Sequence, residues 1–241
     1  MRLRVAQTLQ TTPSRKTFHI VLWVFLIACI TTESAMAKPK SEHITLDLSG
    51  TRISYASPVN YSKDFPKSSA DIQTQYRINI HDKNLYKKQN AYTKSENFHG
   101  IRQSFWDYGR SIIWGSVKGT LSMSVALYHT LQHELDLKNP DVFIKALQAD
   151  FEQIYDNQAR KTFKVIRPEN YQIKTLSGIP WGHYEFSIRG KRIVAYALPL
   201  SDQHYFKVEF DFTNHSEGKI NNWEQQAQAT VDFIMASFEV K

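Results

Sequence analysis

The stretch HYFKVEFDF, residues 204 to 212, decides the fold. Apolar and polar side chains alternate along it, and Phe206, Val208, Phe210 and Phe212 fall on one face of an extended chain. A period of two predicts a β-strand that buries one face against a core. The chain is therefore expected to build its core against one side of a sheet.

Three more runs of the same kind precede this strand, at residues 171–176, 181–188 and 192–198. Ser177-Gly178 and Arg189-Gly190 separate these runs, and such pairs are typical of tight turns. Four strands that are joined by short connections predict an antiparallel sheet with one face buried.

Further strands are predicted earlier in the chain. Residues 44–48 and 52–56 alternate on either side of Ser49-Gly50, which predicts a hairpin with a two-residue turn. Residues 121–127 carry large apolar side chains on one face and small ones on the other, so the second face could pack beneath another element. Between these regions, about residues 58–100 show no regular period, and a long irregular segment is expected there.

Two helices are predicted. Asn139 is a good N-cap, Pro140 suits the first helical position, and Asp141 suits the positive end of the helix. Apolar residues at helical spacing follow in both cases; they are Ile144, Leu147, Phe151, Ile154 and Tyr155, and later Trp223, Ala227, Val231, Ile234 and Phe238. The sequence thus predicts an α+β fold, an antiparallel β-sheet flanked by helices.

The N-terminal residues have the composition of an export signal. Four basic residues precede the apolar run FHIVLWVFLIACI, residues 18–30, which is shorter than the roughly 20 residues that a membrane-spanning helix needs. A small-residue site ending at Ala37 follows at the usual distance. We therefore expect residues 1–37 to be a signal peptide, residues 38–43 a tether and residues 44–241 a single α+β domain.

Two processing sites compete within this region. Leu26-Ile27-Ala28-Cys29 resembles the lipobox that precedes a lipid-modified cysteine, whereas Ala35-Met36-Ala37 fits ordinary signal cleavage. Because Ile30 is an unusual residue to follow a lipidated cysteine, cleavage after Ala37 is the favoured interpretation. It predicts a periplasmic protein; lipidation at Cys29 would instead predict a lipoprotein held on a membrane.

Charge and cysteine content restrict the class of protein. Cys29 is the sole cysteine, so no disulfide can form within the chain and the core must be sufficient without one. Without the four basic residues and Glu33 of the leader, 26 basic and 22 acidic residues remain, a net charge of +4. This mild excess does not predict nucleic-acid binding, which needs a clustered basic face.

No motif for catalysis or for a cofactor is found. His129, His133 and Glu134 would share a helical face, but a strand is predicted directly before them, and their order differs from the H-E-x-x-H of zinc hydrolases. No nucleophile elbow, P-loop or dinucleotide-binding glycine motif occurs. We therefore expect a protein that is not an enzyme and holds neither a metal nor a cofactor.

Aromatic residues beside glycines are the remaining candidates for function. Trp181, His183 and Tyr184 lie in the stretch GIPWGHY, residues 178–184, where proline and glycine indicate a bend. Large rings at a bend could bind a partner, most plausibly another envelope or secreted protein. The alternative is that these rings belong to the core, as aromatic residues on an amphipathic sheet usually do.

The order of elements resembles the PsbP-like fold of DcrB-type bacterial periplasmic proteins and lipoproteins. The resembling parts are the opening hairpin at residues 44–56, the helix from Pro140, the stretch GIPWGHY, the Leu198-Pro199-Leu200-Ser201 connection and the closing helix up to Ser237-Phe238. Residues 58–100 depart from that pattern. The resemblance implies α/β/α layers and binding or accessory roles, and it implies no catalytic residues.

Two functions follow as hypotheses. The first is an exported, non-enzymatic envelope protein that acts as a binding or accessory module, such as an immunity-type protein. The alternative is a periplasmic hydrolase of an envelope polymer with an acid/base site that the sequence does not reveal. A strongly perturbed histidine or carboxylate in one pocket would favour the hydrolase.

Overall fold

The computed structural model describes residues 40–59, 62, 73–87, 97–109, 116–130, 135–156, 164–216 and 222–241. All of them belong to one compact unit, Lys40–Lys241. The strands and helices are, in chain order, β1 (Ser41–Leu48), β2 (Thr51–Pro58), β3 (Gln75–Ile78), α1 (Lys83–Lys87), β4 (Phe98–Tyr108), β5 (Gly119–His129), α2 (Pro140–Asp156), β6 (Val165–Ile166), β7 (Tyr171–Leu176), β8 (Ile179–Ile188), β9 (Lys191–Pro199), β10 (His204–Asn214), α3 (Trp223–Ala236) and β11 (Glu239–Val240).

The larger sheet has seven strands and is antiparallel throughout. Its order is β4-β5-β10-β9-β8-β6, and β7 pairs with the first half of β8 on the same side as β6. The decisive stretch forms β10, which pairs along its length with β5 and β9. The predicted antiparallel run of β7 to β10 and the α+β class are both confirmed.

The opening hairpin belongs to a second sheet and not to the first. This sheet has the order β11-β2-β1-β3, and β3 lies parallel to β1. β1 begins at Ser41, inside the segment predicted to be a tether. β3 and α1 lie within the segment predicted to be irregular. β3 pairs with the edge of β1 that does not face β2.

Three hairpins turn through two residues with positive φ, the geometry of a type I′ turn. Ser49-Gly50 joins β1 to β2, Ser177-Gly178 joins β7 to β8, and Arg189-Gly190 joins β8 to β9. The first residue of each pair has φ between 51° and 55°, and the glycine that follows has φ between 78° and 99°. A glycine at the second position supplies that conformation without a steric cost.

The two faces of the seven-stranded sheet bury different partners. Phe206, Val208, Phe210 and Phe212 point into the main core, which is shared with α3 and with the four-stranded sheet. The opposite face, which carries Tyr205, packs against α2. Its neighbouring strands contribute Ala126, Ala195 and Ala197 there, and these small side chains leave room for the helix, as the pattern of residues 121–127 predicted.

Both predicted helices are present, although α3 ends at Ala236, before the Phe238 that the sequence placed on its apolar stripe. Asn139 Oδ1 accepts hydrogen bonds from the backbone N–H groups of Asp141 (3.0 Å) and Val142 (3.4 Å), which is the N-cap that the sequence predicted for α2. Along the part of the chain that the structure describes, no helix is both long and apolar enough to cross a membrane. Cys29 and Ala37, with the choice between lipidation and cleavage, lie outside the described residues.

Candidate functional site

The three residues predicted to bind a partner are buried. Trp181, His183 and Tyr184 are 0%, 7% and 4% exposed. They alternate along β8, so Trp181 packs on Phe238 in the main core while Tyr184 packs beneath α2, 6.1 Å from the Phe151 ring. Because a partner protein contacts only exposed side chains, these buried residues cannot form its binding surface. We therefore place the candidate site elsewhere.

His183 lies near a shallow cleft of about 420 Å³ whose charged groups are largely paired. The Arg192 guanidinium lies 2.9 Å from the Glu185 carboxylate and 3.6 Å from that of Glu224. Burial lowers the pKa of His183, and the positive charge of Lys174 lowers it further. These ion pairs engage Arg192 and Glu185, so neither side chain can bind a ligand without giving up a partner.

The stronger candidate is a cleft of about 500 Å³ over the start of β10. Its lining residues are His81, Leu135, Asp136 and residues 201–204. Strand pairing builds the floor, because His204 at the start of β10 lies opposite His129 at the end of β5. His81 comes from the connection between β3 and α1, so the cleft combines the start of β10 with a residue from a distant part of the chain.

The Ser201 hydroxyl fixes the His204 side chain. Its Oγ accepts hydrogen bonds from the backbone N–H groups of Gln203 (3.3 Å) and His204 (3.1 Å), and it lies 2.8 Å from His204 Nδ1. Because the two N–H groups occupy the oxygen lone pairs, the hydroxyl hydrogen is the group left to donate to Nδ1. We assign from this network a His204 imidazole that carries its proton on Nε2.

The second ring nitrogen of His204 is open to the cleft. The residue is 6% exposed, and its Nε2–H donates no hydrogen bond to the residues that the structure describes. Among the described residues, Trp181 Nε1 is fully buried and has no hydrogen-bond partner. His204 Nε2 does not belong to that group of fully buried atoms, so it is accessible to solvent. The cleft therefore presents one N–H donor at the end of a buried, oriented ring.

Other aromatic rings surround this imidazole. The ring centroids of His129 and His81 lie 4.8 Å and 5.2 Å from that of His204, and Tyr86 lies 5.9 Å away. Burial lowers the pKa of His204 to about 4, and the neighbouring His129 and His81 contribute in the same direction. His204 is therefore neutral at physiological pH, with the hydrogen-bonding pattern described above.

The cleft also holds two carboxylates, those of Asp136 and Asp202. Among the described residues that line it, none is a lysine or an arginine. Within the described ranges, no group of three or more histidine, cysteine or acidic residues has the geometry to hold a metal ion. His133 and Glu134, which the sequence had set beside His129 as metal-ligand candidates, lie outside those ranges.

A second polar cluster is largely buried on the face of the sheet that packs against α2. The Lys207 ammonium lies 2.8 Å from Glu209 Oε1 and 4.0 Å from the centre of the Tyr128 ring, and Tyr205 donates a 2.7 Å hydrogen bond to Asp150. Burial by itself lowers the pKa of Lys207, but Glu209 and the tyrosines raise it well above its usual value. This arrangement keeps the ammonium charged and paired inside the protein, as a structural element.

Sequence reasoning did not find the His204 cleft. His81, His129 and His204 are far apart in the chain, and they converge only through the pairing of β5 with β10 and the placing of the β3–α1 connection. One local feature was available, because a serine three residues before a histidine at a strand start is compatible with the turn observed here.

Comparison with known proteins adds little. No family model matches the chain, and no curated protein matches it. A solved structure of LpqN, involved in cell envelope biogenesis of Mycobacterium tuberculosis, is similar over 84% of this chain and 92% of that chain, at 11% identity and a TM-score of 0.35. A likeness at that level carries no argument about function, and the resemblance to PsbP-like, DcrB-type proteins stays a prediction.

Proposed function

We propose that this chain is an exported, non-enzymatic protein of the cell envelope that binds a ligand or partner through the cleft over His204. The export signal predicted for residues 1–37 supports the location. Predicted cleavage after Ala37 would give a periplasmic protein, and lipidation at Cys29 would instead give a lipoprotein anchored to a membrane.

The observation that carries the proposal is the state of His204. A polar side chain that is almost fully buried normally has its hydrogen bonds satisfied by the protein. His204 satisfies one nitrogen through Ser201 and presents the other to a cleft of ligand size, beside two carboxylates. Such a group gains a partner when a ligand binds, and it is already oriented for one.

The contact between Ser201 and His204 also supports the alternative function, that of a hydrolase. Ser201 Oγ lies 2.8 Å from a histidine nitrogen, which is the distance between a serine nucleophile and its base. A perturbed histidine in a pocket was also the feature that the sequence analysis named in favour of an enzyme. Two facts count against this function: Ser201 Oγ is engaged by two backbone N–H groups, and a base with a pKa of about 4 has little tendency to take a proton at neutral pH.

Site-specific photo-cross-linking in the native envelope tests binding. A benzophenone amino acid replaces Gln203, at the cleft, in one strain and Gln225, on the exposed side of α3, in another. We expect irradiation to give a discrete adduct from the cleft position and none from the control position. Equal labelling from both positions, or none from either, contradicts the proposal.

A serine-directed fluorophosphonate probe and the Ser201→Ala variant test the hydrolase. We expect no covalent labelling of the wild-type protein, because Ser201 is held in its turn. Labelling that disappears in Ser201→Ala would establish the alternative function in place of binding.

A further inference from the structure

The hydrogen-bonding groups of the His204 cleft define the chemistry of its ligand. We propose that the cleft binds a neutral saccharide, one hydroxyl of which accepts the His204 Nε2–H while neighbouring hydroxyls donate to Asp136 and Asp202. This inference rests on the proposed binding function and specifies the class of ligand.

The donor and acceptor pattern of the cleft favours hydroxyl groups. His204 offers an N–H donor, because Ser201 donates to its other nitrogen. Asp136 and Asp202 offer acceptors in the same cleft. A hydroxyl both donates and accepts, so a ligand that carries several adjacent hydroxyls can satisfy an N–H group and a carboxylate together.

Three other classes of small ligand fit less well. An anion would meet two carboxylates, and the described lining residues include no lysine or arginine to offset them. A cationic amine would suit the carboxylates but would leave the buried His204 N–H facing a positive charge. A metal ion would need the Nε2 lone pair, which the assigned tautomer has replaced with a proton.

The size of the cleft and the character of its walls agree with a short saccharide. About 500 Å³ lies within the range of sites for small molecules, which is roughly 300–1,000 Å³. Beside the hydrogen-bonding groups, the cleft is lined by the apolar Leu135 side chain and the exposed His81 ring. The C–H faces of a sugar ring can lie against these side chains.

NMR spectroscopy tests the inference. The full chain is expressed with ¹⁵N-labelled histidine, and the purified protein is used for the spectra. The free protein should show the His204 tautomer with a proton on Nε2 and none on Nδ1. Addition of cellobiose or N,N′-diacetylchitobiose should shift the His204 Nε2 resonance in a saturable way. Putrescine and zinc ions serve as cationic probes, and we expect neither to shift it at matched concentrations.

Variants assign the binding to this cleft. Asp136→Asn combined with Asp202→Asn should weaken saccharide binding about 5- to 10-fold, because neutral amide oxygens replace two carboxylates and hydrogen bonds to charged groups are the stronger ones. Ser201→Ala should also weaken saccharide binding. In this variant the His204 ring is still present, but its proton should no longer be confined to Nε2, and the NMR spectrum reports that change directly. His43→Gln changes an exposed histidine of β1 outside the cleft and should leave the affinity unchanged.

The outcomes separate this inference from the function on which it rests. If putrescine or zinc shifts the His204 resonance and the sugars do not, the saccharide inference is wrong. If the sugars fail while the cross-linker at Gln203 still captures an envelope component, binding stands and its ligand is of another class. If neither experiment shows binding at the cleft, both proposals are wrong.

Discussion

A single glycine sets how closely α3 approaches the seven-stranded sheet. A Cβ added to Gly119 would lie 2.2 Å from the Trp223 ring atoms, and the ring is buried at the start of α3. Since a rigid indole cannot move away without displacing the helix, we expect Gly119→Ala to lower the free energy of unfolding by about 1–3 kcal/mol or more. Urea denaturation of the purified protein measures this directly.

The comparison variant is Gly182→Ala, beneath α2. There an added Cβ would lie 2.7 Å from Leu147 Cδ1, the end of a side chain with rotational freedom, and 2.9 Å from Phe143 Cε1, both farther than the 2.2 Å to the Trp223 ring. Gly182→Ala should therefore cost less than Gly119→Ala. The reverse order would mean that α3 adjusts more easily than the packing described here allows.

His204 should make the stability of the protein depend on pH in the acid range. Its pKa in the folded state is about 4, below the ordinary 6.5, because of burial and of the facing imidazoles of His129 and His81. The fold thus favours the neutral ring, and stability is lost as the pH falls from about 6.5 towards 4, by up to about 3 kcal/mol. The carboxylates of Asp136 and Asp202, which line the same cleft, and the phenol of Tyr86 are common to every variant compared below.

Denaturation of the wild type and of His204→Gln, at pH 7 and near pH 4, measures this contribution. The difference in unfolding free energy between the two pH values should be smaller in His204→Gln than in the wild type. His43→Gln, at an exposed position, should keep the wild-type difference. An unchanged difference in His204→Gln would mean that other groups cause the loss of stability in acid.

At the scale of elements, Phe151 is the centre of the contact between α2 and the sheet. Its ring lies 5.0 Å from Phe186, 6.1 Å from Tyr184 and 4.6 Å from Tyr155, and it is buried. Removal of a buried phenylalanine leaves a cavity, so we expect Phe151→Ala to destabilise the fold by about 3–5 kcal/mol. Gln153→Ala, at an exposed position of the same helix, should change stability little. A thermal melt of both variants decides whether the helix packs in this way.

The elements were predictable from sequence because their causes are local. The strand β10 follows from the alternation of residues 204–212, and α2 follows from its cap at Asn139 and its apolar stripe. The turn pairs with glycine at the second position give the hairpins. Even the small residues opposite α2 could be recognised, since Ala126 shares a face with Ser122 and Ser124.

Contacts between distant elements were not predictable in the same way. No local pattern states that β3 lies parallel to β1, or that His81 comes within 5.2 Å of His204. The prediction of an interface at Trp181 and Tyr184 assumed that rings at a bend are exposed. β8 instead runs straight through Ile179–Ile188, and it buries Trp181 on one face and Tyr184 on the other.

At the scale of the whole molecule, a buried arginine links the two sheets. The Arg102 guanidinium on β4 donates to Glu42 of β1 at 2.5 Å and to the Gln73 carbonyl at 2.8 Å. Breaking a buried ion pair leaves the partner charge unpaired, so we expect Arg102→Ala to cost about 3–5 kcal/mol. Arg102→Lys keeps the charge but loses the planar fork, and it should restore only part of this. Chemical denaturation of the two variants measures both effects, and equal stability of Arg102→Lys and wild type would contradict the role of the fork.

The place of the molecule in the cell depends on which of two adjacent sites is processed. We predict cleavage after Ala37, so that the mature chain begins at Lys38 and is recovered in the soluble periplasmic fraction. Both small residues of the A-x-A site are present, a polar stretch separates it from the apolar run, and Ile30 is a poor residue to follow a lipidated cysteine. Lipidation would instead hold the protein on a membrane, since each buried CH₂ adds about 0.8 kcal/mol.

The Cys29→Ser variant separates the two routes, because serine keeps the apolar run but cannot accept the lipid. We expect the mass of the mature protein and its soluble fraction to be the same as in the wild type. Ala37→Leu is the matched variant, and it should block or displace cleavage because a large residue replaces the small one at the site. A Cys29→Ser protein that leaves the membrane fraction, or that is no longer processed, would show that Cys29 is the true first residue. In that case the residues from Ile30 to β1 would tether the described domain, and the His204 cleft would work within reach of that membrane.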